Sequence, residues 1–172
     1  MTRGFSIFFI LFAGWVLFFS CRKIESYPVI PSIEFQSFTI RDTFYTSLGS
    51  QGKVGELVFS FVDGDGDIGF LSDSTANDTT SIHDLFLTLY EKLNGEFFIV
   101  DDLDPPLNYH LPYIEREGQN KTLKGKIQVK IEYFELFKEL LNYDTIKFEF
   151  FIFDRAFHKS NVETTPEIPL TP

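Results

Sequence analysis

Thr145-Ile146-Lys147-Phe148-Glu149-Phe150-Phe151-Ile152-Phe153 is the stretch that decides the fold. Ile146, Phe148, Phe150 and Ile152 recur at period two on one face, and Phe151 and Phe153 make the other face apolar too, as on a central strand covered from both sides. Just before it, Tyr133 to Leu141 switches period: Phe134, Phe137 and Leu141 recur at three- and four-residue spacing and predict one short helix that closes an end of the core. Earlier still, Lys126 to Ile131 sets Ile127, Val129 and Ile131 against Lys126, Gln128 and Lys130, a strand with one wet face. Beyond the central strand, Val162 to Leu170 carries Pro166 and Pro169, which donate no ladder hydrogen bond and so place that segment at an edge.

The same alternation marks Ser32 to Ile40, through Ile33, Phe35 and Ile40, and Val54 to Val62, through Leu57, Phe59 and Phe61. Leu85 to Lys92 and Glu96 to Val100 flank Asn94-Gly95, whose tolerance of positive φ predicts a tight hairpin. Seven strands and one short helix before the penultimate strand make an all-β, antiparallel, two-sheet sandwich. From Ile146 to Asn161, with its Asp154-Arg155-Ala156 turn ending in Ser160-Asn161, the chain resembles bacterial immunoglobulin-like and fibronectin type III-like sandwiches. A tryptophan commonly centres the core in those folds. Here the only one, Trp15, lies outside the domain, so the resemblance implies that a phenylalanine takes its place.

Upstream of the domain stands an apolar run of 15 residues, Phe5 to Phe19, behind Arg3. It falls short of the roughly 20 residues that span a bilayer and suits the apolar region of a secretory signal. At its end Leu17-Phe18-Phe19-Ser20-Cys21 resembles the lipobox of bacterial lipoproteins, with phenylalanines where that motif shows a branched aliphatic and a small residue. The resemblance implies a signal peptide over 1–20, acylation of Cys21 (palmitate among its chains), a tether over 21–31 and a sandwich domain over 32–172. It makes the chain a small envelope lipoprotein, with Arg22 favouring the outer membrane over the inner. The competing reading of the same run is an uncleaved signal anchor. Without residues 1–20, 14 basic side chains face 25 acidic ones, a net charge of −11 that disfavours nucleic acid as a partner. No cysteine remains for a disulfide once Cys21 is acylated, so 22 phenylalanines make burial the main source of stability.

The sharpest chemistry lies in Asp63-Gly64-Asp65-Gly66-Asp67-Ile68-Gly69. Three closely spaced carboxylates repel one another and call for a counter-cation, and hard oxygens on a glycine-rich loop suit Ca2+. Ile68 and Ser74 stand where an EF-hand needs glycine and glutamate, which excludes that motif. Strand direction predicts that Asp101, Asp102 and Asp104 arrive at the same end by a climb from the hairpin, and the sandwich that the resemblance implies brings Asp154 there from the central strand, with Asn161 close behind. The expected metal ligands are therefore Asp63, Asp65, Asp67, Asp101, Asp102 and Asp154. His83, His110 and His158 fall in loops at that end and keep a transition metal in view, though their spacing matches no known site. Tyr109, Tyr113 and Phe157 offer an aromatic ligand platform beside the loop. The stretch Phe70 to Ile82 is long for a compact domain and rich in Ser, Thr and Asp, with Asp73-Ser74-Thr75 and Asp78-Thr79-Thr80 resembling short O-glycosylation sites.

No nucleophile elbow, zinc-binding His-Glu-x-x-His or phosphate-cradling glycine loop is present, so the chain is not expected to be an enzyme. The leading expectation is a membrane-anchored binding or adhesion module that presents a calcium-ordered pole to a glycan or protein. The alternatives are a structural accessory subunit of an envelope complex using the edge strand, and a carboxylate-based glycoside hydrolase.

Overall fold

The computed structural model describes residues 26–71, 83–101, 103–116, 118, 121–132, 134, 136–137, 141 and 145–170. Their strands are β1 (Ser32–Tyr45), β2 (Ser50–Asp63), β3 (Leu85–Leu93), β4 (Glu96–Ile99), β5 (Asn108–Tyr109), β6 (Leu123–Ile131), β7 (Thr145–Ile152), β8 (Glu163–Thr164) and β9 (Ile168–Pro169). They form two antiparallel sheets. One runs β1-β2-β6; the other runs β4-β3-β7-β8, with β5 continuing the β4 side of β3 and β9 pairing β7. Among the described residues no helix is long and apolar enough to cross a membrane.

Period-two alternation does what it should: each strand turns one side inward. Leu57, Phe59 and Phe61 from β2 meet Leu85, Leu87 and Leu89 from β3 and Ile146, Phe148, Phe150 and Ile152 from β7 in one buried cluster. At its centre the Phe59 and Phe150 rings lie 5.3 Å apart, so phenylalanines occupy the middle of a core without tryptophan. Burying each such ring contributes roughly 2–3 kcal/mol. The outer face of β7 is half-covered by its own aromatics, Phe151 lying flat on Phe86 with ring centroids 5.4 Å apart. At the hairpin, Asn94 and Gly95 both take positive φ, 50° and 90°, as a two-residue turn demands.

Three features depart from the sequence reading. The described chain has nine strand segments where seven are expected, because a short β5 is added and the last strand splits. Pro166 supplies no N–H, and Thr165 swings inward so that its Oγ1 accepts the Phe148 N–H at 3.0 Å, replacing a ladder rung between β8 and β9. Secondly, β1 and β2 run on to Tyr45 and Ser50, past the last β6 partner of β2 at Gly55, as a two-stranded arm. Thirdly, only Leu136 and Phe137 are helical among the described residues of the expected helix, with Leu141 N–H donating to the Phe137 carbonyl at 3.0 Å. Phe134 and Phe137 do close that end of the core, buried against Phe38 and Phe148.

Candidate metal centre

β2 delivers Asp63 to the end of the sandwich opposite the arm, and the chain then curls. Asp63 is 0 % exposed, and its Oδ2 accepts the Asp67 N–H at 2.8 Å, which closes the loop on itself. Gly66 sits at φ 69°, and a Cβ there would come within 2.0 Å of the Lys121 carbonyl oxygen. Gly64 lets the incoming segment lie against the loop: its N–H donates to the Pro28 carbonyl at 2.9 Å, and a Cβ would meet the Tyr27 oxygen at 2.3 Å. The glycines are thus spent on close backbone approach, and the carboxylates between them converge.

One oxygen each from Asp63, Asp65 and Asp67 lies within 4.8 Å of the others, and among the described residues this is the group able to hold a metal ion. The Oδ1 atoms of all three are buried and accept no hydrogen bond. A buried, unpartnered carboxylate oxygen is costly, and three facing one another are more so. The Asp63 carboxyl has its pKa pushed up to about 7, first by burial and then by the charges of Asp65, Asp67 and Asp154. Burial, then Asp154 and Asp65, also raise Asp67 above the ordinary carboxylate range. The cluster can hold a metal ion, whose charge would remove each of these penalties.

The turn after β7 forms the other wall. Ile68 pairs with Asp154 in an isolated bridge, and Arg155 N–H donates to the Asp67 carbonyl at 3.0 Å. The Arg155 guanidinium donates to the carbonyls of Ile68 and Gly69 at 3.1 and 3.0 Å and lies 4.7 Å from the Tyr113 ring centroid. Asp154 is fully buried, but its oxygens are taken: Oδ1 accepts the His158 N–H at 2.7 Å and Oδ2 pairs with His158 Nδ1 at 2.8 Å. That bond, and the Asp154 charge, raise the His158 imidazole above its usual range.

The expected ligand set is therefore only partly assembled. Asp63, Asp65 and Asp67 converge, and Asp154 stands beside them as a neighbouring charge engaged with His158. Asp101 does not reach the pole: β4 stops at Ile99 opposite Tyr90, and Val100 N–H donates to the Leu89 carbonyl at 2.9 Å, so exposed Asp101 leaves at mid-height of β3. The expected climb requires a full-length strand, but the chain breaks away, and β5 takes the upper positions beside Leu85 and Phe86. Asp102 and the Ser/Thr-rich stretch 72–82 lie outside the described residues. The Asn161 side chain is engaged elsewhere: it caps the β1 edge, accepting from Ile33 N–H at 2.8 Å and donating to the Ile33 carbonyl at 2.9 Å. The histidines separate, His83 stacking on His110 at 4.6 Å while His158 binds Asp154.

Sequence reasoning misses Asp84. Fully buried at the start of β3, it accepts N–H groups from Leu111 at 2.6 Å and Phe70 at 3.2 Å, tying two loops of the pole together. Burial raises its pKa despite those bonds. Its only signal in the sequence is an acid directly before the alternating Leu85, Leu87 and Leu89. A cleft of about 450 Å³ beside the pole is lined by His83, Tyr109, Lys130 and Glu132. The Tyr109 hydroxyl there is pushed up to about 12 by burial and then by Glu132. None of the orphaned oxygens belongs to this cleft, so the acidic loop is the stronger site. No protein-family model matches the chain, and comparisons with curated proteins and with solved structures found no match.

Proposed function

We propose that this chain is a membrane-anchored extracytoplasmic binding module whose acidic loop is ordered by Ca2+. In this reading Cys21 carries the lipid anchor, residues 21–31 lead to the domain, and the domain is an immunoglobulin-like sandwich at the outer membrane. The strand order β1-β2-β6 facing β4-β3-β7-β8 supports that fold reading. The single observation that carries the calcium reading is the convergence of three buried carboxylate oxygens that lack any donor. Oxygen-only ligands favour a hard cation, and a loop closed by one internal hydrogen bond suits the variable geometry of Ca2+ better than the strict octahedron of Mg2+.

The test is calorimetric titration of the full chain in detergent with CaCl2, paired with thermal unfolding. Ca2+ should bind with heat and raise the melting temperature, and Asp65→Asn should remove both effects. Absence of heat and of any shift at about millimolar calcium, the weak end of extracellular calcium sites, would retire the reading. Mass spectrometry of membrane-extracted protein tests the anchor: an unmodified Cys21 thiol with Met1 still in place would refute it.

A further inference from the structure

The acidic pole is also where the chain enters the domain, and it carries several of the exposed large apolar side chains, Leu71 and Phe157 foremost, while Phe44 and Leu48 are exposed on the opposite arm. Pro28 is hydrogen-bonded to Gly64, between the first two carboxylates of the loop. Pro28 lies seven chain steps after Cys21, a reach of at most ~25 Å. The long axis, set by the 14 residues of β1, is ~45 Å. A lipid on Cys21 therefore holds the acidic pole near the bilayer, and the tether is too short to let the opposite arm face the membrane with the pole turned away.

Leu71, 71 % exposed, follows the acid loop directly, and Phe157, 63 % exposed, projects from the turn after β7 at φ 63°. Phe157 packs on Phe70 with ring centroids 5.4 Å apart, and exposed Tyr113 lies under Arg155. Exposed Val29 and Ile30 complete the rim on the entry side. Apolar and aromatic side chains around a charged centre match an interface between headgroups and acyl chains. Three carboxylates alone would repel lipid phosphates; a dication on them would turn that repulsion into attraction, and it takes six to eight oxygen ligands where they offer three.

We propose that the acidic pole docks on the membrane that anchors the chain, with the cation held by Asp63, Asp65 and Asp67 bridging to lipid phosphate groups while Leu71 and Phe157 insert beside it. This rests on the calcium and anchor readings above. The shared chemistry is a phosphate oxygen completing the coordination of the cation, and the source is the lipid headgroup rather than free phosphate.

The experiment uses the membrane-extracted acylated protein, expressed from the full chain with Trp15→Phe so that any uncleaved signal adds no tryptophan, and with either Leu71→Trp or Phe157→Trp as reporter. Two reporters keep the test open should Phe157→Trp fail to fold. Each protein is reconstituted into phosphatidylcholine/phosphatidylglycerol vesicles with brominated acyl chains, or kept in a maltoside detergent with and without inorganic phosphate. Ca2+ should quench the emission in vesicles, since an inserted side chain reaches the acyl boundary, and EDTA should restore it. Asp65→Asn should abolish the response. If Ca2+ raises the melting temperature in detergent but leaves both reporters unquenched in vesicles, the lipid proposal is overturned while the calcium reading stands. If neither changes, the calcium reading falls first. A calcium-dependent spectral change caused by inorganic phosphate alone, or calcium-dependent glycan retention without quenching, would likewise overturn the lipid assignment.

Discussion

A methyl group added at Gly66 would sit 2.0 Å from the Lys121 carbonyl on a backbone at φ 69°, so two independent penalties act on one substitution. Gly66→Ala should destabilise the metal-free protein by about 2 kcal/mol or more, since positive φ alone costs on the order of 1 kcal/mol and the backbone contact must also open. Urea unfolding measures it. Asp154 makes a different kind of contribution. Its two oxygens serve the His158 backbone and ring rather than the orphaned cluster, so Asp154→Ala leaves the half-buried His158 N–H without an acceptor. A loss of about 2–4 kcal/mol in stability is expected, with Ca2+ affinity changed less than in Asp65→Asn, which removes charge from a converging oxygen. Equal losses of affinity in the two variants would make Asp154 a ligand.

Among the elements, β7 carries the most. Phe148 and Phe150 are fully buried, and Phe148 faces Phe38 and Phe137. Phe148→Ala should cost about 3–5 kcal/mol in chemical denaturation, the upper part of the range for core substitutions, because a ring from the opposite sheet and one from the closing turn lose a partner at once. β7 is also the easiest element to read, since a period-two apolar run with a second apolar face fits a central strand and little else. The hairpin is equally plain, because Asn94-Gly95 names its own turn chemistry. What escapes the sequence is set by contacts remote along the chain. Nothing in Glu96 to Val100 says that pairing ends opposite Tyr90, and that early ending decides whether Asp101 joins the pole. Thr165 replaces a ladder rung with its side chain, which looks like an ordinary strand residue until Phe148 is beside it. The acid triplet is legible because its carboxylates are local, at alternate positions on one glycine-hinged loop. Asp84 is not, because its partners Leu111 and Phe70 come from two other segments.

Among the described residues of the whole molecule, Asp63, Asp67, Asp84 and His158 pull pH dependence the same way. Asp63, Asp67 and Asp84 hold their protons more tightly in the fold than the ordinary carboxylate value of 3.8, chiefly through burial. For each, the native state binds more protons than the unfolded chain above that value, so stability falls as pH rises, for Asp63 across the window from 3.8 to about 7. His158 is raised above 6.5 by Asp154, so its contribution is fully present below 6.5 and is lost as pH climbs through the folded value. The signs agree. Metal-free protein in EDTA should therefore unfold at a higher temperature near about pH 5 than near about pH 8, with Asp63 alone accounting for on the order of a few kcal/mol at ~1.4 kcal/mol per pKa unit. Saturating Ca2+ should flatten the part of the slope that Asp63 and Asp67 contribute, because the ion holds their oxygens deprotonated as they are in the unfolded chain, while the contributions of Asp84 and His158 remain. Thermal unfolding across this range, with EDTA and with Ca2+, gives two curves. They should diverge as pH rises, and parallel curves would mean that the ion does not bind at the buried acids.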